Sequence, residues 1–389
     1  MAALTGDVFV IGAGPAGLAS AHYLEKAGIA YVIAERTNEV ASTWARQYKT
    51  LRLNTASFVT HLPGKRMPLS TPIYPTGEQL YAYLLDYARD HDFNIRFGVE
   101  VLLVTPHNGG WQVETSIGSA WFRCVILASG RYNNPYVPSL EGMPAFHGEM
   151  LHAHDYRAPE PFQGKRVLVA GAGPSGVDIA LEIAATAEHP VYLAIRSDIV
   201  VARRYPYGLP DTAWQLISRY FLPKRWRKPF LDKMVYQPFP DAPDSGLILA
   251  RNRTDRRGTS TPVRGRALLD AIRDVTIKPV AGIARFHENS VELCDGSHVE
   301  ADSVILSTGY RPVLGFLDFP YETDSQGYPV RADTLDEGGT TEVLGHPGLY
   351  LVGRFYRGLG PLNNVRYEAK KAVEEIRLRL ENEPSSDAK

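Results

Sequence analysis

The stretch GAGPAG at Gly12–Gly17 returns as GAGPSG at Gly171–Gly176, and no other feature constrains the fold as much. Each copy follows a short apolar run, Val8-Phe9-Val10-Ile11 in the first and Val167-Leu168-Val169-Ala170 in the second, which reads as a buried strand. Each precedes helix-period residues: Leu18, Ala21 and Leu24 after the first, Val177, Ala180, Leu181 and Ala184 after the second. Strand, glycine turn, helix is the context in which GxGxxG binds a dinucleotide. Gly12 and Gly171 permit the tight turn, Gly14 and Gly173 let the backbone approach a pyrophosphate, and Gly17 and Gly176 let the helix pack against the strand. The helix N-terminus then offers N–H groups and a partial positive charge to the phosphates. Later, VILASG (Val125–Gly130) is matched by VILSTG (Val304–Gly309), so each glycine turn is followed by its own strand ending in a small residue and glycine. The repetition predicts an α/β chain with two Rossmann-like dinucleotide-binding domains.

The copies differ where the second strand ends. In the first, Tyr31-Val32-Ile33-Ala34 runs into Glu35, 18 residues after Gly17, the spacing at which a carboxylate accepts hydrogen bonds from a ribose 2′-OH. In the second, Val191–Ile195 runs into Arg196, 20 residues after Gly176. An arginine removes the carboxylate that would repel a 2′-phosphate and can pair with that phosphate bidentately. The contrast predicts FAD in the first lobe and NADPH in the second.

Between these landmarks, residues 37–76 carry Pro63, Pro68, Pro72 and Pro75, which exclude long helices, while Trp44, Tyr48, Leu51, Leu53, Phe58 and Tyr74 argue for an ordered segment. A helix is predicted over 76–89, with antiparallel strands at 99–104 and 110–113. From Arg196 to Arg266 fifteen Lys and Arg face six Asp and Glu, either a solvated face or a surface that attracts a phosphate-rich cofactor. Trp214, Phe221, Trp226, Phe230 and Phe239 in this insert read as core, as a cap or as an oligomer contact. The chain's net charge of −1 gives no push towards nucleic acid or membrane, and no apolar run reaches the length of a membrane span. The early start of the first strand predicts no signal peptide. Two cysteines, Cys124 and Cys294, form no CxxC and predict a reduced, cytoplasmic setting without structural zinc. His147, His152 and His154 lack the carboxylate or cysteine partners of a metal site.

The segment Phe146–Pro159, FHGEMLHAHDYRAP, fits FxGxxxHxxxY followed by a basic residue, carried by Phe146, Gly148, His152, Tyr156 and Arg157. Between two GxGxxG turns this resembles the fingerprint of the flavin-containing monooxygenases, class B flavoprotein monooxygenases. GAGPSGVDIA resembles the family's second nucleotide motif, STGYRP (Ser307–Pro312) its "ATGY" element, and Gly348–Leu359 its C-terminal flavin segment. Tyr74–Ala88 is similar to the compact bacterial and YUCCA-type members. Pro174 departs from the family, in which many members have asparagine.

The resemblance implies FAD contacts from Gly12, Gly14, Pro15, Ala16, Gly17, Glu35, Arg36, Trp44, Thr55, Val101, Ser129, Gly130, Gly353 and Leu362. It implies NADPH contacts from Gly171, Gly173, Pro174, Ser175, Gly176, Arg196, Ser197 and Arg203, and places Thr308, Gly309 and Tyr310 near the cofactors. YKTLRLN (Tyr48–Asn54) aligns with the segment ending in the family's active-site asparagine, which makes Asn54 the catalytic candidate. An amide both donates and accepts without adding charge. Histidine at this position would fit YUCCA-type members, and Trp-Pro at the end of the fingerprint would fit Baeyer–Villiger relatives. Asn54 with Tyr156-Arg157 therefore implies oxygenation of a soft nitrogen or sulfur centre of a small molecule by O2, through a C4a-hydroperoxide of the flavin. The alternatives are Baeyer–Villiger or YUCCA-like oxidation of a ketone or 2-oxo acid, and a non-oxygenating flavin reductase or sensor. The predicted organisation is an FAD domain at 1–160 and 302–382, an NADPH domain at 161–301 with its insert at 198–262, and a disordered tail at 383–389. No membrane or nucleic-acid partner is expected, and a homo-oligomer is left open.

Overall fold

The computed structural model describes residues 4–196, 199–236, 239, 262–331, 339–354 and 359–382. They divide into two units, one within Met1–Gln47, Arg52–Asn134 and Tyr310–Lys389, the other within Tyr48–Leu51 and Pro135–Gly309.

The first unit starts with β1 (Val8–Ile11), α1 (Pro15–Lys26) and β2 (Tyr31–Glu35). The short helix α2 (Ser42–Ala45) lies in the proline-rich segment, and α3 (Gly77–His91) follows. Thr76 and Gln79 form a reciprocal capping box that fixes the start of α3, and its buried Leu80, Tyr83, Leu84 and Tyr87 are the residues whose spacing predicted it. Then come β3 (Ile95–Phe97), an antiparallel meander of β4 (Val101–His107), β5 (Gly110–Thr115) and β6 (Gly118–Phe122), and β7 (Cys124–Leu127). The unit closes with β18 (Leu349–Leu351) and α8 (Pro361–Asn382). Its main sheet is parallel, in the order β18-β7-β1-β2-β3. All residues of β1, β2 and β7 are buried, as unbroken apolar runs in a sheet covered on both faces should be. One face carries α1, α3 and α8, the other the meander with Trp111 and Phe122.

The second unit holds β8 (Glu149–His152), β9 (Val167–Ala170), α4 (Pro174–Ala184), β10 (Val191–Ile195) and β11 (Val201–Ala202). Helices α5 (Asp211–Phe221) and α6 (Lys224–Met234) form part of the insert, followed by β12 (Val263–Arg264), α7 (Ala267–Arg273) and β13 (Ile277–Ala281). The antiparallel strands β14 (Ile283–Phe286), β15 (Ser290–Leu293) and β16 (His298–Glu300) precede β17 (Ser303–Leu306). The parallel sheet runs β13-β10-β9-β17-β8. Read from the opposite edge, this is the order of the first sheet: in each, the glycine-turn strand stands between its second strand and the strand of the VIL repeat. The chain therefore has the expected α/β fold with two Rossmann-like lobes.

The structure corrects where the lobes divide. Residues 149–152 and 303–306 were expected in the first domain, yet β8 and β17 pair with each other and β17 with β9, so both belong to the second sheet. Parallel pairing across more than a hundred residues decides this, and no local pattern carries it. The insert also differs from a reading of its aromatics as core. Phe221 and Trp226 are exposed, whereas Asp211, Thr212, Gln215 and Ser218 of α5 are buried. Asp211 is ion-paired with Arg264 inside the unit, so the polar face of α5 is the one turned inward. Residues 237–238 and 240–261 of the insert, Ser197, and the tail expected at 383–389 lie outside the described residues. Among the described residues no helix is long and apolar enough to cross a membrane.

Candidate active site

In the first unit the glycine turn has little freedom. Gly12 sits at φ +101°, and a Cβ there would lie 2.9 Å from the Ala128 carbonyl oxygen. A Cβ on Gly17 would come within 1.9 Å of the Gly12 oxygen, so any larger residue would push the helix off its strand. Gly14 faces open space, which leaves its surroundings clear for a ligand in front of α1. Pro15 occupies the first helical position and no side chain caps the helix, so the first N–H groups are available to a phosphate. Glu35 is buried at the end of β2. Its Oε2 accepts the Ala13 N–H at 2.9 Å, and its Oε1 accepts the N–H and hydroxyl of Thr37 at 2.9 and 2.8 Å. The carboxylate is thereby oriented at the turn, with acceptor capacity to spare for a ribose.

A second group of residues gathers at the start of α8. Gly353 N–H donates to Glu368 at 2.7 Å, and a Cβ on Gly353 would stand 3.3 Å from that of Ala16, so this segment lies against the start of α1. Glu368 also accepts from Arg331 at 3.1 Å, a buried ion pair, and from the Arg354 N–H at 3.2 Å. Gly360, at φ +95°, packs on Thr55; a Cβ there would be 2.5 Å from the Thr55 methyl. Thr55 and Thr60 share a hydroxyl hydrogen bond of 3.0 Å, and His61 next in sequence receives Arg366 of α8 at Nε2, 2.7 Å away. Burial holds the His61 imidazole below its ordinary pKa. Its Nδ1 donates to the Leu62 carbonyl, leaving Nε2 as the acceptor. Asn54, half-buried, adjoins Thr55 in this segment. Leu362 is buried in the core under α8.

Asn364, in the first turns of α8, is 1% exposed, and among the described residues neither end of its amide has a partner. A buried amide costs free energy unless something satisfies it. An uncapped helix start at Gly14, an oriented carboxylate at Glu35 and an unpaired amide beside a second helix start fit a long dinucleotide with a polar ring at one end. Of the other expected residues, Ser129 donates to the Val313 carbonyl at 2.9 Å and Gly130 is exposed at φ +72°. Trp44 packs on the core under α1, Val101 starts β4, and Arg36 is exposed, 3.8 Å from Glu100. The Tyr310 ring stands edge-on to Tyr132, 5.3 Å away.

The second unit repeats the turn. Gly171 lies at φ +108° with a Cβ position 2.5 Å from the Ser307 oxygen, Gly173 faces open space, and a Cβ on Gly176 would be 1.9 Å from the Gly171 oxygen. Pro174 takes the first position of α4, so its departure from the family leaves the uncapped helix start intact. Ser175 and Arg196 are exposed, and Arg203 stacks over the Phe239 ring at 4.9 Å. The fingerprint is structural in this unit. Phe146 packs edge-on to Phe286, and a Cβ on Gly148 would strike Phe146 and the Asp302 carbonyl. His152 is buried; its Nδ1 accepts the His154 N–H, so Nε2 carries the proton and donates to the Gly309 carbonyl at 3.1 Å. Burial lowers its pKa and keeps the ring neutral. Thr308 donates to the Tyr136 carbonyl at 2.5 Å, Tyr156 is buried against Tyr48 and Phe162, and Arg157 bonds the carbonyls of His154 and Tyr156.

Sequence reasoning missed several residues. Tyr48 donates to Asp178 of α4 at 3.2 Å and Thr50 to Glu182 at 2.7 Å, which anchors the segment leading to Asn54. Burial pushes the Asp178 carboxyl up to about 6. Asn364 and Glu368 were also missed; a polar residue on the inner face of an otherwise apolar helix stripe was their only signal. Cys124 is buried, with its thiol pushed up to about 12, and Cys294 is exposed in the other unit; both are free.

The family model of the pyridine nucleotide-disulphide oxidoreductases matches residues 9–215. The chain is 33% identical over 390 residues to indole-3-pyruvate monooxygenase YUCCA6 of Arabidopsis thaliana, covering 96% of this chain and 90% of the relative. It is 34% identical over 332 residues to the probable indole-3-pyruvate monooxygenase YUCCA3 of the same plant, covering 78% and 72%. In fold it resembles a flavin-containing monooxygenase from Stenotrophomonas maltophilia, with a TM-score of 0.71 at 23% identity over 96% of this chain and 98% of that one.

Proposed function

This chain belongs to the flavin-containing monooxygenase family, flavin-dependent oxidoreductases that use a nicotinamide reductant and O2, and on that premise we propose that it binds FAD and NADPH and oxygenates a 2-oxo acid. The observation that carries the cofactor assignment is the contrast between Glu35 and Arg196 on two otherwise equivalent turns. The carboxylate suits the free ribose of FAD, and the guanidinium suits the 2′-phosphate of NADPH.

Bound flavin supplies the chemistry the side chains lack, transfer of one oxygen atom from O2 at the expense of a hydride. The chain's residues hold and orient. Gly14 and the start of α1 would hold the pyrophosphate, and Asn364 with the start of α8 would offer its amide to the polar edge of the flavin ring. Asn54 would offer a neutral donor and acceptor, adding no charge to a site from which water is to be excluded.

The 2-oxo acid reading is supported by the relatives, which by name act on indole-3-pyruvate. Arg366, bonded to neutral His61, gives the first unit a cation suited to a carboxylate. The reaction balances as 2-oxo acid, O2, NADPH and a proton giving the acid one carbon shorter, CO2, NADP⁺ and water. A second reading, oxygenation of a soft nitrogen or sulfur, is favoured by Asn54 and by Tyr156-Arg157 at the end of the fingerprint. NADPH consumption across 2-oxo acids, ketones, thioethers and amines, with product mass, tests both. A shortened acid with CO2 supports the first reading and a product one oxygen heavier supports the second. NADPH oxidised with every compound returned unchanged overturns both.

A further inference from the structure

The antiparallel sheet of β14, β15 and β16 has a buried face made by Phe286, Val291 and Val299. Side chains alternate along strands, so the residues between these point to the other face. Arg285 pairs across from Glu292, and Glu292 across from His298, which sets the three in one row. His287 follows Arg285 by two residues, and its N–H donates to the Ser290 carbonyl at 2.8 Å, so its ring returns to the same face. Arg285 is drawn away by Glu141, 2.5 Å from its guanidinium, which leaves Glu292 to the two histidines. His287 Nε2 stands 3.2 Å from Glu292 Oε2, and one ligand atom each of His287, Glu292 and His298 lies within 4.8 Å of the others.

We propose that His287, Glu292 and His298 form a site for a divalent transition-metal ion, Zn²⁺ foremost. Imidazole nitrogen and carboxylate oxygen bind Zn²⁺ at about 2.0–2.2 Å, which in a tetrahedron sets ligand atoms about 3.3–3.6 Å apart. His287 and Glu292 already stand near that separation, and His298, exposed at the start of its strand, closes the set by a side-chain rotation. Two imidazoles and one carboxylate suit Zn²⁺, Ni²⁺ or Cu²⁺; Mg²⁺ and Ca²⁺ prefer an all-oxygen shell. The fourth position is left to water. The ligands come from β15, β16 and the turn between β14 and β15, so a bound ion ties two strands and a turn together. This site is separate from the histidines of the fingerprint, and the oxygenation chemistry makes no use of it.

The test takes the flavin-loaded protein, strips it with EDTA, dialyses it against Zn²⁺ and measures bound metal by mass spectrometry and the thermal midpoint with and without Zn²⁺. The wild type should retain one Zn²⁺ per chain and melt roughly a few degrees higher with it, because a ligand that binds only the folded state stabilises that state. His298→Gln and His287→Gln should each bind at least about tenfold more weakly, the loss of one ligand, and lose the metal-dependent shift. Their flavin absorbance and metal-free midpoint should match the wild type. No Zn²⁺ retained by the wild type, equal retention by both variants, or an equal shift with Mg²⁺ overturns the proposal.

Discussion

Replacing Arg196 by alanine isolates the choice of reductant. Arg196 is exposed at the end of β10, and among the described residues it makes no hydrogen bond or ion pair, so its loss should leave the stability of the fold unchanged. What is lost is any bond to the cofactor. A hydrogen bond to a charged group contributes about 1.5–3 kcal/mol, and solvent at this exposed position favours the lower part of that range. At about 1.4 kcal/mol per factor of ten, Arg196→Ala should raise KM for NADPH about 10- to 100-fold. NADH lacks the 2′-phosphate, so its KM should stay within about twofold, since no bond of that strength is removed. Steady-state kinetics with both nucleotides, alongside the thermal midpoint, measures the two arms. A KM that rises equally for NADPH and NADH, or moves for neither, refutes the assignment of Arg196 to the 2′-phosphate.

Asn364→Leu removes a buried amide that has no partner among the described residues. The flavin-free chain should therefore gain stability, by about 1–3 kcal/mol in urea unfolding, while flavin titration shows affinity reduced about tenfold or more. A loss on both counts would mean that Asn364 serves the fold and not the cofactor. Asp178, raised from its ordinary 3.8 to about 6 by burial, holds a proton in the folded chain that the unfolded chain releases. Its contribution favours folding below about pH 4 and is lost as pH rises through about 6, a swing of about 3 kcal/mol. Asp178→Asn keeps an acceptor for Tyr48 and should gain on the wild type by about 2 kcal/mol between pH 4.5 and 7.5, read from urea midpoints. A constant gap between the two proteins would contradict the shift.

The two glycine turns and the strands before them were legible because each depends on a few adjacent residues. At Gly17 and Gly176 the geometry admits nothing larger, so the motif and the constraint are the same fact. The lobe boundary was written less openly. The VILSTG strand is to the second turn what VILASG is to the first, and that symmetry alone could have placed β17 in the second sheet. Helix α5 was illegible because an ion pair between Asp211 and Arg264 reverses the usual rule that the apolar face turns inward. The cluster of His287, Glu292 and His298 matches no ligand spacing along the chain; strand register assembles it.

The carboxylate of Glu368 binds Arg331 and the N–H groups of Gly353 and Arg354, so two stretches of the first unit meet on a residue from α8. This has a consequence for the order of events during synthesis. Every residue of the second unit leaves the ribosome before α8 does, and chains emerge at roughly 5–20 residues per second. The second unit can therefore finish folding while the first still lacks the helix that brings these stretches together. On the cofactor assignment proposed above, flavin capture waits for the last helix, and the newly made chain passes through an interval in which its nucleotide reductant has a home and its flavin has none.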